Sequence, residues 1–292
     1  MNLDPRIGPI LIDGAMGTAL QAAGLPSGDL PERWLLERPE LVAAIHAAHA
    51  AAGASLLLTC TFNVASPRLA TARLGTSAPR LCAAAVALAR EAAPGARVAG
   101  ALGPVGLAHP GGTAPSAASL RAPFQRPVEA LAEAGADLIW LESQYDWREA
   151  SGALAAAVAV GLPVALTFTM LERDGRWFAP DGTRGEALLT RAARFTGRGA
   201  GDGRVVAVGV NCVPAGPALT ALSAWARTTL PVPFIAKPSP GLPGATMPPA
   251  KFAQAVAPAV AAGARLVGGC CGASADHLAA LAGVLYPSEA RG

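Results

Sequence analysis

Two adjacent cysteines, Cys270 and Cys271 in the run Gly268-Gly269-Cys270-Cys271-Gly272, are the residues of this chain best suited to chemistry. Neighbouring cysteines cannot close an ordinary disulfide without severe local distortion. They can give two thiolates to one metal ion. A third thiolate is offered by Cys212, at the end of Val208-Gly209-Val210-Asn211-Cys212. Both runs end apolar, strand-like stretches, and the glycines around the pair suggest backbone crowding around something bound. Three thiolates at two strand ends suggest a zinc site with one position open, the arrangement of a catalytic zinc. Zinc-finger spacing is not present, so only a fold that joins the two strand ends makes a site. Buried cysteine is often a small apolar filler, and that is the role expected of Cys82 and Cys60.

Other polar groups sit at similar punctuation points. Asp13-Gly14-Ala15-Met16-Gly17-Thr18 reads as a strand entering a glycine-rich turn. Its Asp can cap the next helix, or its N–H groups can cradle a substrate carboxylate. Glu142 follows the apolar run Leu138-Ile139-Trp140-Leu141. A carboxylate there needs a cation, supplied by the protein or by a ligand such as an amino acid's ammonium. His46 and His49 share a helix face and are expected to be satisfied helix histidines. His109 and His277 fall near the same loops, with His277 a candidate to orient a metal ligand.

These residues need a scaffold that gathers strand ends. Strand-like runs are expected at 9–13, 55–59, 97–102, 137–141, 163–169, 205–210, 232–236 and 265–267. Alanine-rich helical segments lie between them, at 39–52, 78–93, 126–134, 147–159, 185–196, 215–229 and 249–262. Eight strands alternating with helices predict a single (β/α)8 TIM barrel spanning 1–292, with the active site at the strands' C-terminal ends. Residues 171–184, with Asp174-Gly175, are expected to form a small hairpin.

Composition narrows the class. The chain has 292 residues, 52% of them apolar. Charged residues make up 15%, against roughly 25% in typical soluble domains. A net charge of +3 without basic clusters argues against nucleic acid. No leader-like segment opens the sequence. The uncharged stretch 150–170 is broken by Gly161-Leu162-Pro163, so no membrane partner is expected. Five cysteines, an odd number, fit reduced thiols in the cytoplasm. Whether identical chains assemble into an oligomer is open.

In this order the motifs resemble the homocysteine S-methyltransferase family. They are DGAMGT at 13–18, TCTFN at 59–63, GPVG at 103–106, LES at 141–143, GVNC at 209–212 and GGCCG at 268–272. The resemblance covers nearly the whole chain. It implies Cys212, Cys270 and Cys271 as zinc ligands, and Asp13 and Glu142 as the residues that orient homocysteine's amino-acid end. Gly14 and Asn211, in the same motifs, are expected at the substrate with them. The implied reaction is zinc-dependent methyl transfer from a small donor to the homocysteine thiol, forming methionine. S-methylmethionine or S-adenosylmethionine is the favoured donor. Betaine or a methyl-corrinoid on a separate protein is the alternative, as is a non-catalytic zinc barrel that binds an amino acid. A metal-free dithiol or cysteine-nucleophile enzyme is a third class. Departures from the family pattern are Cys60 for Asn, Ser239 for Asn, His49 for Tyr and Ser143 for Thr.

Overall fold

The computed structural model describes residues 8–72, 74, 78–107, 115–195, 203–241 and 245–286. His109 lies outside them. The described residues form ten strands and eleven α-helices. The strands are β1 Ile10–Leu11, β2 Leu56–Leu58, β3 Arg97–Leu102, β4 Leu138–Gln144, β5 Val164–Phe168, β6 Leu171–Arg173, β7 Arg176–Phe178, β8 Val205–Pro214, β9 Phe234–Ser239 and β10 Ala264–Val267. The helices are α1 Met16–Ala22, α2 Trp34–Glu37, α3 Pro39–Ala51, α4 Arg68–Thr71, α5 Ala78–Ala92, α6 Ala117–Glu133, α7 Trp147–Val158, α8 Gly185–Ala193, α9 Pro217–Thr229, α10 Pro249–Ala262 and α11 Ala275–Leu285.

Eight strands pair in parallel in the order β1-β10-β9-β8-β5-β4-β3-β2. A bridge between Ile12 and Leu56 joins the two ends, and Asp13 N–H donates to Leu56 O at 3.0 Å. The sheet is therefore closed into the expected (β/α)8 barrel. β6 and β7 form the expected hairpin, whose turn residues Asp174 and Gly175 have φ of 51° and 73°. Positive φ at both positions matches the twist of a tight hairpin.

Side-chain alternation fills the barrel. Ile12, Leu56, Leu58, Ala99, Ala101, Leu138, Trp140, Ala165, Ala207, Ile235 and Leu266 form the interior cluster. One fully buried indole, Trp140, is surrounded by alanines, and large against small is what a narrow barrel accommodates. A second cluster, including Phe124, Phe168, Leu154 and Phe252, lies between sheet and helices. Each such side chain contributes about 1.5–3 kcal/mol on burial. The period of two then sets the next residue up each strand. Above Trp140 comes Glu142, above Ile235 comes Lys237, and above Gly209 comes Asn211.

The helices differ from expectation mainly at α6, which starts at Ala117 rather than near 126 and contains Pro123 and Pro127. Prolines argue against a helix interior. Here Leu120, Phe124, Val128 and Leu131 place an apolar stripe on the core, and Ser116 caps the start by accepting from Ser119 N–H at 3.1 Å. The uncharged stretch 150–170 divides as expected into α7 and β5. No described helix is long and apolar enough to cross a membrane.

Candidate active site and metal centre

The C-terminal strand ends open into a cavity of about 510 Å³. Asp13, Gly14, Cys60, Glu142, Cys212, Cys270 and Cys271 all line it. Every cysteine among the described residues is free.

The three thiols converge. Cys212 Sγ lies 2.9 Å from Cys270 Sγ and 3.3 Å from Cys271 Sγ. All three sulfurs fall within 4.8 Å of one another, the one such cluster of three or more metal-ligating groups among the described residues. Sulfurs bound tetrahedrally at ~2.3 Å from a zinc ion would be about 3.8 Å apart, so one ion can reach all three. The local backbone is shaped for this. Cys212 has φ of 55°, and Ser143 across the mouth has 58°. Both lie where strand register shifts, between Leu141 and Gln144 and between Asn211 and Pro214. Such bulges re-aim side chains. Gly272, with φ of 84°, could not carry a Cβ, which would lie 2.1 Å from Gly241 O.

Asn211 ties the two bulges together. Its Oδ1 accepts from Ser143 N–H at 3.0 Å, and its Nδ2 donates to Ser143 Oγ at 2.6 Å and to Cys270 Sγ at 3.5 Å. Asn211 is fully buried, and these contacts are to protein groups. Contact with Cys212 and burial push the Cys270 thiol up to about 12. At Cys271 the Cys212 contact favours the thiolate, but Cys270 and burial outweigh it, raising it to about 11. A set of thiols that resists ionisation by itself ionises readily around a divalent cation.

Beside the thiols lies a charge triad that the sequence reading did not assemble. Lys237 Nζ stands 3.2 Å from Asp13 Oδ1 and 3.2 Å from Glu142 Oε1, with its side chain 4% exposed. Burial alone disfavours the ammonium, but Asp13 and Glu142 outweigh it and hold Lys237 above the ordinary lysine value. The second oxygen of Asp13 accepts from Leu58 N–H at 2.7 Å. Both Asp13 oxygens are thus engaged by the protein. Glu142 keeps part of its carboxylate open, its side chain being 13% exposed. The cation sought for Glu142 is therefore at least partly internal. Asp13, Lys237 and Glu142 together carry one net negative charge, which suits one ligand ammonium.

Gly14 is fixed by packing as well as by the cavity. A Cβ there would lie 2.5 Å from Ala273 O and 3.0 Å from His49 Nε2. Ala15 N–H donates to Ala273 O at 3.0 Å, so the DGAMGT turn is docked on the turn that carries the cysteine pair. Part of its N–H cradle is already used. Cys60 lines the cavity apart from the thiol cluster, and burial pushes its thiol up. Cys82 packs on α5 as expected. His277 caps α11, with Nδ1 at 3.2 Å from the Ser274 N–H donor and Nε2 at 2.7 Å from Met247 O. It anchors the loop after β9 rather than a cysteine.

The α3 histidines differ from the satisfied residues expected. Both are buried, and His46 Nδ1, His46 Nε2 and His49 Nδ1 have no protein partner. Burial lowers both to about 4; Asp13 opposes this at His46, while Lys237 adds to it at His49. In the unfolded chain both would protonate near 6.5. As the pH falls the unfolded chain takes up these protons first, so stability is full above pH 6.5 and is lost on the way down to about 4. The loss should reach at most roughly 3 kcal/mol per histidine. Urea midpoints between neutral and acidic pH should fall steeply in the wild type and less in His46→Gln. Equal slopes would show that His46 does not carry the effect.

A profile of the family described as homocysteine S-methyltransferase matches residues 10–285. The chain is 30% identical over 301 positions to a homocysteine S-methyltransferase of Escherichia coli strain K12, covering 93% of this chain and 94% of that one. The metallated crystal form of the E. coli homocysteine methyltransferase MmuM has a TM-score of 0.76 at 30% identity, covering 94% of this chain and 95% of that one. The carboxyl transferase domain of Rhizobium etli pyruvate carboxylase, with a TM-score of 0.55 at 17% identity over 91% of this chain, shares the fold.

Proposed function

The chain belongs to the homocysteine S-methyltransferase family, and from that premise we propose that it methylates the thiol of homocysteine to form methionine, using a small methyl donor and zinc. The observation that carries this reading is the convergence of Cys212, Cys270 and Cys271 beside a carboxylate that is part open to the cavity. Cys212, Cys270 and Cys271 are the proposed metal ligands. A zinc ion held by these three residues would favour the thiolate form of the substrate thiol at neutral pH.

The chain's own residues do the rest. The open side of Glu142 takes the substrate ammonium, while Lys237 balances the other charge. Asp13 holds Lys237 and joins the first two strands of the barrel through Leu58. Gly14 lets that turn reach the cysteine loop. Asn211, rather than touching substrate alone, steadies Cys270 through its N–H and fixes the Ser143 bulge. The substrate sulfur attacks the donor's methyl carbon in line. The donor's bond to methyl breaks with its electron pair left on the donor, so a sulfonium leaves as a neutral thioether. Positioning of both partners supplies much of the rate. A small sulfonium such as S-methylmethionine is the favoured donor. Free thiols at the centre fit a reducing compartment such as the cytoplasm.

The test is metal analysis of freshly purified protein, then incubation with homocysteine and each donor in turn. About one zinc per chain and methionine formed from a small onium donor are expected. Bound zinc and bound homocysteine without turnover would favour a non-catalytic amino-acid-binding barrel. Activity that survives stripping of the metal would favour a cysteine-nucleophile enzyme.

A further inference from the structure

We propose that Arg68, on the cavity wall built by the loops after β1 and β2, reads the carboxylate of the methyl donor. The inference rests on the methyl-transfer reading above and goes on to name a residue that selects the donor. Around the closed barrel β2 lies four strands from β8 in either direction. The segment after β2, with Phe62, Asn63 and Arg68, therefore faces Cys212 across the mouth, and all four residues line the same cavity. A homocysteine with its sulfur at the thiol cluster and its ammonium at Glu142 leaves this wall for the second substrate.

The charges on that wall are specific. Among the described residues the cavity is lined by two cations, Lys237 and Arg68. Lys237 is buried between Asp13 and Glu142. Arg68 is exposed, and among the described residues its guanidinium makes one hydrogen bond, from Nη2 to Gly28 O at 3.2 Å. It has no carboxylate partner among the described residues. A guanidinium so placed offers its remaining N–H groups to a carboxylate. The ring of Phe62 lines the same cavity. That ring lies so close to Gly103 that a Cβ there would be 2.4 Å from ring atoms, and Gly103 N–H donates to Phe62 O at 2.7 Å. The glycine of GPVG thus fixes an aromatic face suited to an onium centre. Beneath Asn63, Glu32 is fully buried; its Oε1 accepts Asn63 N–H at 2.6 Å, and it has no salt-bridge partner among the described residues. Burial raises its carboxyl above the ordinary carboxylate value, and the Arg68 charge opposes that shift.

The test uses the zinc-loaded full chain. Donors are compared in pairs, S-methylmethionine against its carboxamide and glycine betaine against its amide. In whichever pair turns over, the carboxylate form should have a kcat/KM roughly 10–100-fold higher. Arg68→Gln should remove that preference by raising the donor KM, and Arg68→Lys should restore part of it. Homocysteine KM and zinc content should stay as in the wild type, which shows that the variants are folded. An unchanged acid-to-amide ratio in Arg68→Gln overturns the inference. Turnover confined to a methyl-corrinoid overturns it while leaving methyl transfer standing. No turnover with any donor overturns both readings.

Discussion

Cys212→Ser is expected to lose its bound zinc and to turn over homocysteine on the order of 10³-fold more slowly than the wild type. As the proposed ligand from β8, Cys212 is the member of the cluster in contact with both other sulfurs. Without it, two thiols at adjacent positions remain, and burial raises both. Serine preserves size and backbone but is a poor zinc ligand. A companion variant separates chemistry from folding. Cys212 has φ of 55°, a conformation that costs a side-chain-bearing residue about 1–2 kcal/mol. Cys212→Gly should therefore be as inactive as Cys212→Ser, yet as stable as the metal-free wild type or more so. The measurements are zinc per chain by elemental analysis, methionine formation, and urea midpoints after chelation. Full zinc occupancy in Cys212→Ser would remove Cys212 from the ligand set. Loss of stability in Cys212→Gly would show that the bulge is held by packing rather than strained for function.

The frame of the barrel and the thiol centre were legible because both depend on short-range pattern. Apolar runs broken by glycine mark strands, and the cysteine pair beside glycines sits at a strand end, where it meets Cys212. Helix α6 was read short because its prolines are a local signal, whereas the stripe that overrides them is set by packing on the core. Asn211 was expected at the substrate from its place in GVNC. Its partner Ser143 lies two strands away around the barrel, and no spacing in the chain reports that contact. The histidines differ for a related reason. Their place on a helix outside the ring of strands suggests satisfied side chains, but α3 buries both His46 and His49, and no spacing in the chain reports which partners they meet there. Lys237 is the instructive omission. It is one of two lysines in the chain, and it follows Phe234-Ile235-Ala236 in an apolar run. The argument that Glu142 needs a cation applies equally to a buried lysine, which needs carboxylates. Applied to both, it pairs Lys237 with the strand-end carboxylates from the sequence alone.

Lys237→Met is expected to destabilise the fold by about 3–5 kcal/mol, the range for removing one partner from a buried ionic cluster. Methionine fills the space, so the loss is electrostatic. Asp13 and Glu142 would face each other without the ammonium that stands 3.2 Å from each. Two buried carboxylates without their cation carry the full cost of burying unpaired charge. In the wild type, Lys237 is held above its ordinary value, so its contribution persists at neutral pH and is lost only above the ordinary lysine range. A structural role alone would move stability and nothing else. The proposed placement of the substrate ammonium predicts more: homocysteine KM should change on the order of tenfold in the variant, while donor KM stays near wild type. The decisive comparison is with Glu142→Gln and the double variant Glu142→Gln/Lys237→Met. Removing the unpaired charge should recover part of the loss, so the double variant should be more stable than the sum of the single changes predicts. Additive losses would mean that Lys237 and Glu142 do not act together, and the triad would cease to explain how the site holds an amino acid.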